Sequence, residues 1–412
     1  MKFKMTKEEK NWVLYDVGNS AFVLMVSTIM PIYFNYLSQK AGLSSIDYLA
    51  YWGYTASIVT VIVAILGPIL GTVADTKGFK KPIFTITLLI GTIGCLLLGF
   101  TTYWLVFLII FLIAKVGFSA SLIFYDSMLT DVTTPQRVDH VSSQGYAWGY
   151  IGSCVPFVLC LILVLGSSSI GIKMETAMTL SFIIIAAWWF IMTIPLLKTY
   201  KQKYYVERKP QAIKNSFKRL KDTIINVRKQ KKIFLFLLAF FFYIDGVYTI
   251  IDMATAYGTA LGFESTGLLL ALLLTQVVAF PFAILFGRLS SRYDTAKLVT
   301  VCICAYLGIA IFAIFITQQW QFWVLAVLVG MFQGGIQSLS RSYFTKIIPS
   351  QKSGEYFGLM DVCGKGASFI GTTVVSLLSQ WTGKLNLSLG AISLFFVLGI
   401  VIFRMAESKK YE

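Results

Sequence analysis

The sequence is short of charge, of acid and of histidine. Of its 412 residues only 13% are Asp, Glu, Lys or Arg; acids number 19 against 35 bases, and there is one histidine. Water-soluble chains carry about 25% charge, so a soluble enzyme and a disordered chain are excluded. A nucleic-acid-binding protein is excluded with them, despite the net charge of +16. One histidine and six dispersed cysteines supply no metal-ligand set, and no acids and bases converge as enzymatic chemistry requires. Neither a metal nor a cofactor is expected, and the chain does not read as an enzyme. Long alternations of apolar and polar residues are also missing, which excludes a porin-like barrel.

What the sequence has instead is long apolar runs. Hydrophobic residues make up 57% of it, about the number that twelve membrane helices of about 20 residues would use. Reading runs between polar breaks places spans at 12–37, 48–73, 83–100, 103–129, 141–165 and 176–197. After a polar stretch come 233–261, 266–289, 298–316, 322–344, 356–378 and 389–403. The first run is too long for a signal-peptide core and shows no cleavage pattern, so it is expected to remain as a span. Cys95, Cys154, Cys160, Cys302, Cys304 and Cys363 all fall in apolar runs and read as small hydrophobes.

Charge placement gives an orientation. If the N-terminus is cytoplasmic, 30 of the 35 Lys and Arg fall on the inner side; Lys40, Lys173 and Lys384 lie outside, and Lys115 and Lys365 lie within spans. Such asymmetry predicts a multi-pass cell-membrane protein with both termini cytoplasmic. The expected organisation is a six-helix bundle over 1–197, a basic cytoplasmic linker over 198–232 and a second six-helix bundle over 233–412. In the linker, Ile213, Phe217, Leu220, Ile224 and Val227 recur at helical spacing among Lys214, Lys218, Lys221 and Arg228. That pattern predicts a basic amphipathic helix lying on an anionic leaflet.

The two sets of six look like a repeat. Gly71-Thr-Val-Ala-Asp75-Thr-Lys-Gly78-Phe-Lys80-Lys81 joins spans 2 and 3, and Gly287-Arg-Leu-Ser-Ser291-Arg292-Tyr-Asp-Thr295-Ala-Lys297 joins spans 8 and 9. Pro135 and Pro349 follow spans 4 and 10 at nearly the same offset. Gly71 permits close helix approach, Asp75 can cap or pair at a helix end, and Lys80 and Lys81 hold the basic side. The first loop resembles the inter-helix signature of the major facilitator superfamily, where it latches the two halves. The second copy departs from it, with Ser291 for the acid and Thr295 for the glycine.

A narrower resemblance rests on Tyr15-Asp16-Val-Gly-Asn19-Ser20-Ala-Phe22, Phe242-Tyr243-Ile-Asp245-Gly246-Val-Tyr-Thr249, Leu274-Thr275-Gln276-Val-Val-Ala-Phe-Pro281, and Gly335-Ile-Gln337-Ser-Leu-Ser340-Arg341-Ser342 with Phe357-Gly358 and Gly364-Lys365. Together these resemble the vacuole-effluxer-like family of major facilitators, related to autophagy-associated amino-acid exporters. The resemblance implies an all-α integral membrane fold of twelve helices in two six-helix pseudo-repeats. It also implies efflux of small solutes such as amino acids.

Charges at bilayer depth mark function by default, because each costs several kcal/mol unless paired or hydrated. Lys115 falls at the middle of span 4, Asp245 and Asp252 two turns apart on span 7, and Asp361 and Lys365 four apart on span 11, close enough to pair. The superfamily lines its cavity chiefly with helices 1, 4, 7 and 10, and with 2, 5, 8 and 11 alongside. Lys115, Asp245, Asp252 and Lys365 are therefore expected to contact substrate, with Asn19, Tyr243, Gln276 and Gln337. Asp245 and Asp252 are candidates for proton exchange. Asp16, Gly71, Asp75, Gly78, Lys80, Lys81, Arg341 and Asp361 are candidates for gating. Tyr125, Gln144, Trp148, Tyr248 and Gln333 are polar or aromatic companions, Gly67-xxx-Gly71 and Gly145-xxx-Gly149 read as close helix contacts, and His140 reads as a solvated loop residue. The function expected is alternating-access transport, by a monomer in lipid, of a small zwitterion or anion, with a proton or sodium ion as the coupling ion. A lipid or amphiphile flippase on the same fold is the alternative.

Overall fold

A computed structural model describes residues 4–207, 220, 222–223, 225–382 and 385–408; within these, a few side chains, that of Asp252 among them, lie outside the description. The described chain is helical almost throughout, with one isolated parallel bridge between Thr76 and Val206. Among the described residues, twelve long helices follow the apolar runs, as expected of backbone that must satisfy every N–H and C=O internally in lipid. We number them α1 (Lys7–Ser27, continued beyond a break as Ile29–Lys40), α2 (Ser45–Ala74), α3 (Lys80–Leu98), α4 (Trp104–Ser127), α5 (Val138–Leu165) and α6 (Met174–Thr199). The remainder are α7 (Lys231–Ala260), α8 (Ser265–Leu289), α9 (Thr295–Ile314), α10 (Gln319–Ile347), α11 (Ser353–Thr382) and α12 (Leu385–Ala406).

Local sequence sets the helix ends. Thr6 and Glu9 form a reciprocal capping box at the start of α1. The first helix bends by 40° at Thr28, whose hydroxyl donates to the Leu24 carbonyl three residues before Pro31. Gly78, at φ +80°, makes the turn between α2 and α3 in a backbone region that favours glycine.

Large apolar side chains also point outward, as they must in lipid. Ile86, Ile90, Ile93 and Leu97 form one exposed stripe on α3, and Val155, Leu159 and Ile162 another on α5. Inside, one apolar cluster joins α1 through α6 around Trp12, Phe22 and Trp189. A second joins α7 through α12 around Phe236, Tyr243 and Phe396, and reaches across to Val59, Val63 and Ile123.

The first and last six helices meet along two pairs, α2 on α11 and α5 on α8, with α5 also on α10 and α4 on α11. Glycines open these crossings. A Cβ at Gly71 would strike the backbone of Gly354, and one at Gly358 would lie 2.9 Å from the Gly67 carbonyl. So the predicted Gly67-xxx-Gly71 contact is made against a second small-residue pair, Gly354-xxx-Gly358, which the sequence reading had not singled out. Of the amphipathic linker, most residues lie outside the description. Residues 225–229 are helical, and Val227 is buried in the core of the last six helices rather than turned to a leaflet.

Candidate functional site

The loop between α2 and α3 is a buried polar latch. Asp75 is fully buried, and its two carboxylate oxygens accept from the N–H groups of Gly354 (2.8 Å) and Glu355 (2.9 Å) in the first turn of α11. A helix N-terminus presents unsatisfied N–H groups and a positive dipole end, so the carboxylate caps it across the interface. Lys80, also fully buried, donates to Ser353 Oγ (2.8 Å) and lies 3.6 Å from both Asp75 and Asp131. Asp131 in turn accepts from the Tyr200 hydroxyl (2.5 Å) and from the backbone of Lys203 (2.9 Å) and Tyr204 (2.8 Å). Buried charges persist only when paired and hydrogen-bonded, and each of these is. The segment after α6 is thereby tied to the latch, with Val206 bonded to the backbone of Asp75 and Lys77.

The second copy of the loop ties the halves in another way. Thr295, at the start of α9, donates to Asp139 Oδ2 on α5 (2.7 Å), and Lys346 of α10 reaches both Asp139 (2.5 Å) and Thr295 (2.8 Å). The acid missing from the loop at Ser291 is thus supplied from α5, and Thr295, one residue past the position equivalent to Gly78, supplies the hydroxyl. His140 stands half-buried in the first turn of α5, close to Gly287, and is not a solvated loop residue.

One helical turn further in lies an arginine clamp. Arg341, on α10, is 3% exposed. Its Nε donates to Ser142 Oγ (2.9 Å), Nη2 to the Ser142 carbonyl (3.0 Å), and Nη1 to Asp126 Oδ1 (2.9 Å); Asp16 Oδ2 lies 3.4 Å from Nη2. All of these partners belong to α1, α4 and α5. The guanidinium also faces the rings of Tyr146 (4.3 Å), Trp12 (4.7 Å) and Tyr125 (5.5 Å), and such contacts favour a desolvated cation. Gly145 makes room, since a Cβ there would sit 2.5 Å from Asp16 Oδ2 and 3.0 Å from Arg341 Nη2.

Beyond the clamp, polar side chains between the halves regain some exposure. Asp361 and Lys365 of α11 pair at 2.5 and 2.7 Å, with side chains 18% and 25% exposed. Tyr146 and Tyr150 lie with ring centroids 6.0 Å apart, and the Tyr150 hydroxyl donates to Gln337 (3.1 Å). These partly exposed groups place mixed charge and aromatic surface on α5, α10 and α11, next to Asp126 of α4.

A sequence profile described as vacuole effluxer Atg22-like matches residues 4–135 and 130–411. The chain belongs to that family. It is 42% identical over 407 residues to the MFS-type transporter YxiO of Bacillus subtilis, covering 98% of this chain and 95% of the relative. Over 433 residues it is 24% identical to autophagy-related protein 22 of Coccidioides immitis, covering 84% and 70% respectively. Among solved structures, the human organic anion transporter MFSD10 matches with a TM-score of 0.70 at 12% identity over 96% of this chain and 99% of that one. A major facilitator transporter, FucP, in its outward conformation matches with 0.71 at 15% identity over 97% and 98%. These likenesses establish the major facilitator fold, all-α and membrane-spanning. The chain is a multi-pass transporter and not an enzyme.

Among the predicted site residues, the structure brings Asp16 to Arg341, Asp75 to Lys80 and Asp361 to Lys365. Gly71 and Gly78 fall at the crossing and the turn of the latch, while Lys81 is an exposed neighbour. Lys115 is half-buried on α4, its ammonium 4.9 Å from the Phe118 ring centroid, and Gln276 is half-buried on α8. Three expectations change. Asp245 is 1% exposed, and its carboxylate accepts from the Gly371 N–H (3.0 Å) and the Thr249 hydroxyl (3.3 Å). It braces α7 against α11 instead of facing a chamber. Tyr243 shares a hydrogen bond with Ser340 (2.7 Å) and is fully buried between α7 and α10, and Asn19 is buried with its amide on the Tyr15 carbonyl. Asp252 lies outside the described side chains. Sequence reading missed Asp126, Asp131, Asp139 and Lys346. The first two stand at the end of span 4, where the spacing Asp126-Ser-Met-Leu-Thr-Asp131 was the available signal.

Proposed function

We propose that the protein exports a small zwitterionic or anionic solute of the amino-acid class by alternating access, with a proton as the coupling ion. The carrying observation is the group of charges between the halves, where Asp361 and Lys365 stand paired and partly exposed beside Asp126 and Arg341; we take this group to line the substrate chamber. A zwitterion brings one charge of each sign, so it can replace the Asp361–Lys365 pair without leaving either group unpaired. The proposed halves are 1–197 and 233–412, joined by 198–232, and act as units that rock about the chamber. With the basic ends cytoplasmic in the cell membrane, as the Lys and Arg asymmetry supports, the latch and clamp close the cytoplasmic side. The chamber then exchanges with the outside in this conformation.

The test is a thermal-shift titration of the purified protein with amino acids, organic anions and lysolipids. A ligand that binds the folded state raises Tm by mass action. The expected result is a concentration-dependent rise with an amino acid that Asp361→Asn and Lys365→Met each abolish. A rise given by lysolipids alone, and kept in both variants, would replace this reading with an amphiphile flippase.

A further inference from the structure

We propose that Asp126 is the proton-binding group of this transporter, and that its protonation loosens the Arg341 clamp between the two halves. The inference deepens the transport reading above, and its direction rests on that reading.

The argument begins with charge. The clamp holds one guanidinium against two carboxylates, Asp16 and Asp126. One positive charge neutralises one of them, so a second proton-sized charge is needed for the buried cluster to be neutral. Which carboxylate takes it follows from their surroundings. Asp16 is 6% exposed and has three side-chain partners, with the Tyr125 hydroxyl at 2.7 Å, the Asn19 amide at 3.4 Å and Arg341 at 3.4 Å. Its position is fixed on both sides, since Gly145 leaves no room behind it. Asp126 instead has a side chain 27% exposed and takes the shorter of the two carboxylate bonds to Arg341, 2.9 Å against 3.4 Å. It is therefore the more exposed of the two carboxylates and the one that holds the cation more closely.

The groups facing Asp126 are known from every element around it. They are Tyr15 and Asp16 on α1, Tyr125 on its own helix, Tyr146 on α5, Arg341 on α10 and Asp361 on α11. Asp361 is held by Lys365, and the tyrosines carry no charge at neutral pH. Among the described ion pairs, Arg341 is thus the cation whose partner changes when Asp126 takes up a proton.

The consequence is mechanical. Arg341 belongs to the last six helices, and both carboxylates to the first six. Each carboxylate contributes a charge-assisted bond that must break when this end opens. A proton that enters through the chamber and binds Asp126 converts one of those bonds to a neutral one, while Asp16 and Ser142 keep the guanidinium oriented. Opening becomes easier, and the proton leaves to solvent on the other side. With the basic end cytoplasmic, the proton moves inward while substrate moves outward.

Hydrogen exchange of the full chain in nanodiscs tests this without any substrate, so its outcome does not depend on the solute reading. Amide protection is followed in 136–146 and 338–345, on the two sides of the clamp, at pH 5.5 and pH 8, after correction for the intrinsic pH dependence of exchange. Wild type is expected to lose protection at pH 5.5 by about tenfold, the equivalent of one charge-assisted hydrogen bond becoming neutral. Asp126→Asn is expected to show the low-pH level at both pH values, and Asp126→Glu to keep the wild-type response. Asp361→Asn is expected to keep it as well. Wild-type protection independent of pH, or a wild-type pH response retained in Asp126→Asn, overturns the proposal. So does a pH response lost in Asp361→Asn.

Discussion

Replacing Asp75 with Asn isolates what the latch contributes, because the change keeps shape and removes charge. The carboxylate accepts two N–H bonds, at 2.8 and 2.9 Å, from the first turn of α11. An amide accepts one of them through its oxygen and turns its NH2 toward the other N–H. The loss is one charge-assisted hydrogen bond, about 1.5–3 kcal/mol, together with the attraction of a carboxylate for a helix N-terminus, about 0.3–1 kcal/mol. Lys80 keeps Asp131 at 3.6 Å and Ser353 at 2.8 Å, so its charge is not stranded. The net effect on the clasped arrangement is about 3 kcal/mol, or about a hundredfold in the equilibrium between clasped and parted α2 and α11. Hydrogen exchange reads it directly, since the amides of Gly354 and Glu355 are the donors. The peptide over 353–360 is expected to exchange about a hundredfold faster, with 104–118 in α4 unchanged. Wild-type exchange at 353–360 in Asp75→Asn would refute the reasoning, because the amides would then be protected by something other than this carboxylate.

Other consequences follow from the same contacts. Gly71→Val places a Cβ against the Gly354 backbone, where neither side can give; it is expected to shift the halves apart, seen as loss of cross-linking between cysteines placed on α2 and α11 at this end. Retention of the wild-type cross-link would count against the glycine crossing. Asp245→Asn is expected to lower stability by about 1–3 kcal/mol through its contacts with Gly371 and Thr249, read as a drop in Tm, while ligand affinity stays within about twofold. A selective loss of affinity would restore Asp245 to the chamber. Thr295→Val and Asp139→Asn remove the same bond, so their effects on Tm are expected to be non-additive by about 0.5–3 kcal/mol. Strict additivity would show that α5 and α9 are not joined there.

Much of the architecture was legible because membranes leave few options. A run of about 20 apolar residues must be helical to satisfy its backbone, so the twelve runs became twelve long helices, and the helix ends fell near the polar breaks. The first loop signature was legible too, since Gly71, Asp75 and Lys80 differ from everything near them in size or charge. The break at Thr28 was harder to see, because Pro31 lies inside an otherwise continuous apolar run.

The candidate site was legible only by residue type. Counting rare charges found Asp16, Arg341, Asp361 and Lys365, yet it gave equal weight to Asp245, which turned out to brace two helices of one half. Depth along a helix does not say which way a side chain faces, and a carboxylate opposite a glycine backbone finds donors that a sequence does not display. Gly371 is such a donor, and so are Gly354 and Glu355 for Asp75. The clamp is the clearest case: Asp16, Asp126, Ser142 and Arg341 are spread over more than three hundred residues, and no local pattern relates them. By itself, then, the sequence determined that the chain crosses the membrane many times, as two related sets of helices with a basic side. Only the tertiary structure decided which charges meet, because pairing in a helical bundle depends on the rotation of each helix and on the glycines that let particular faces approach.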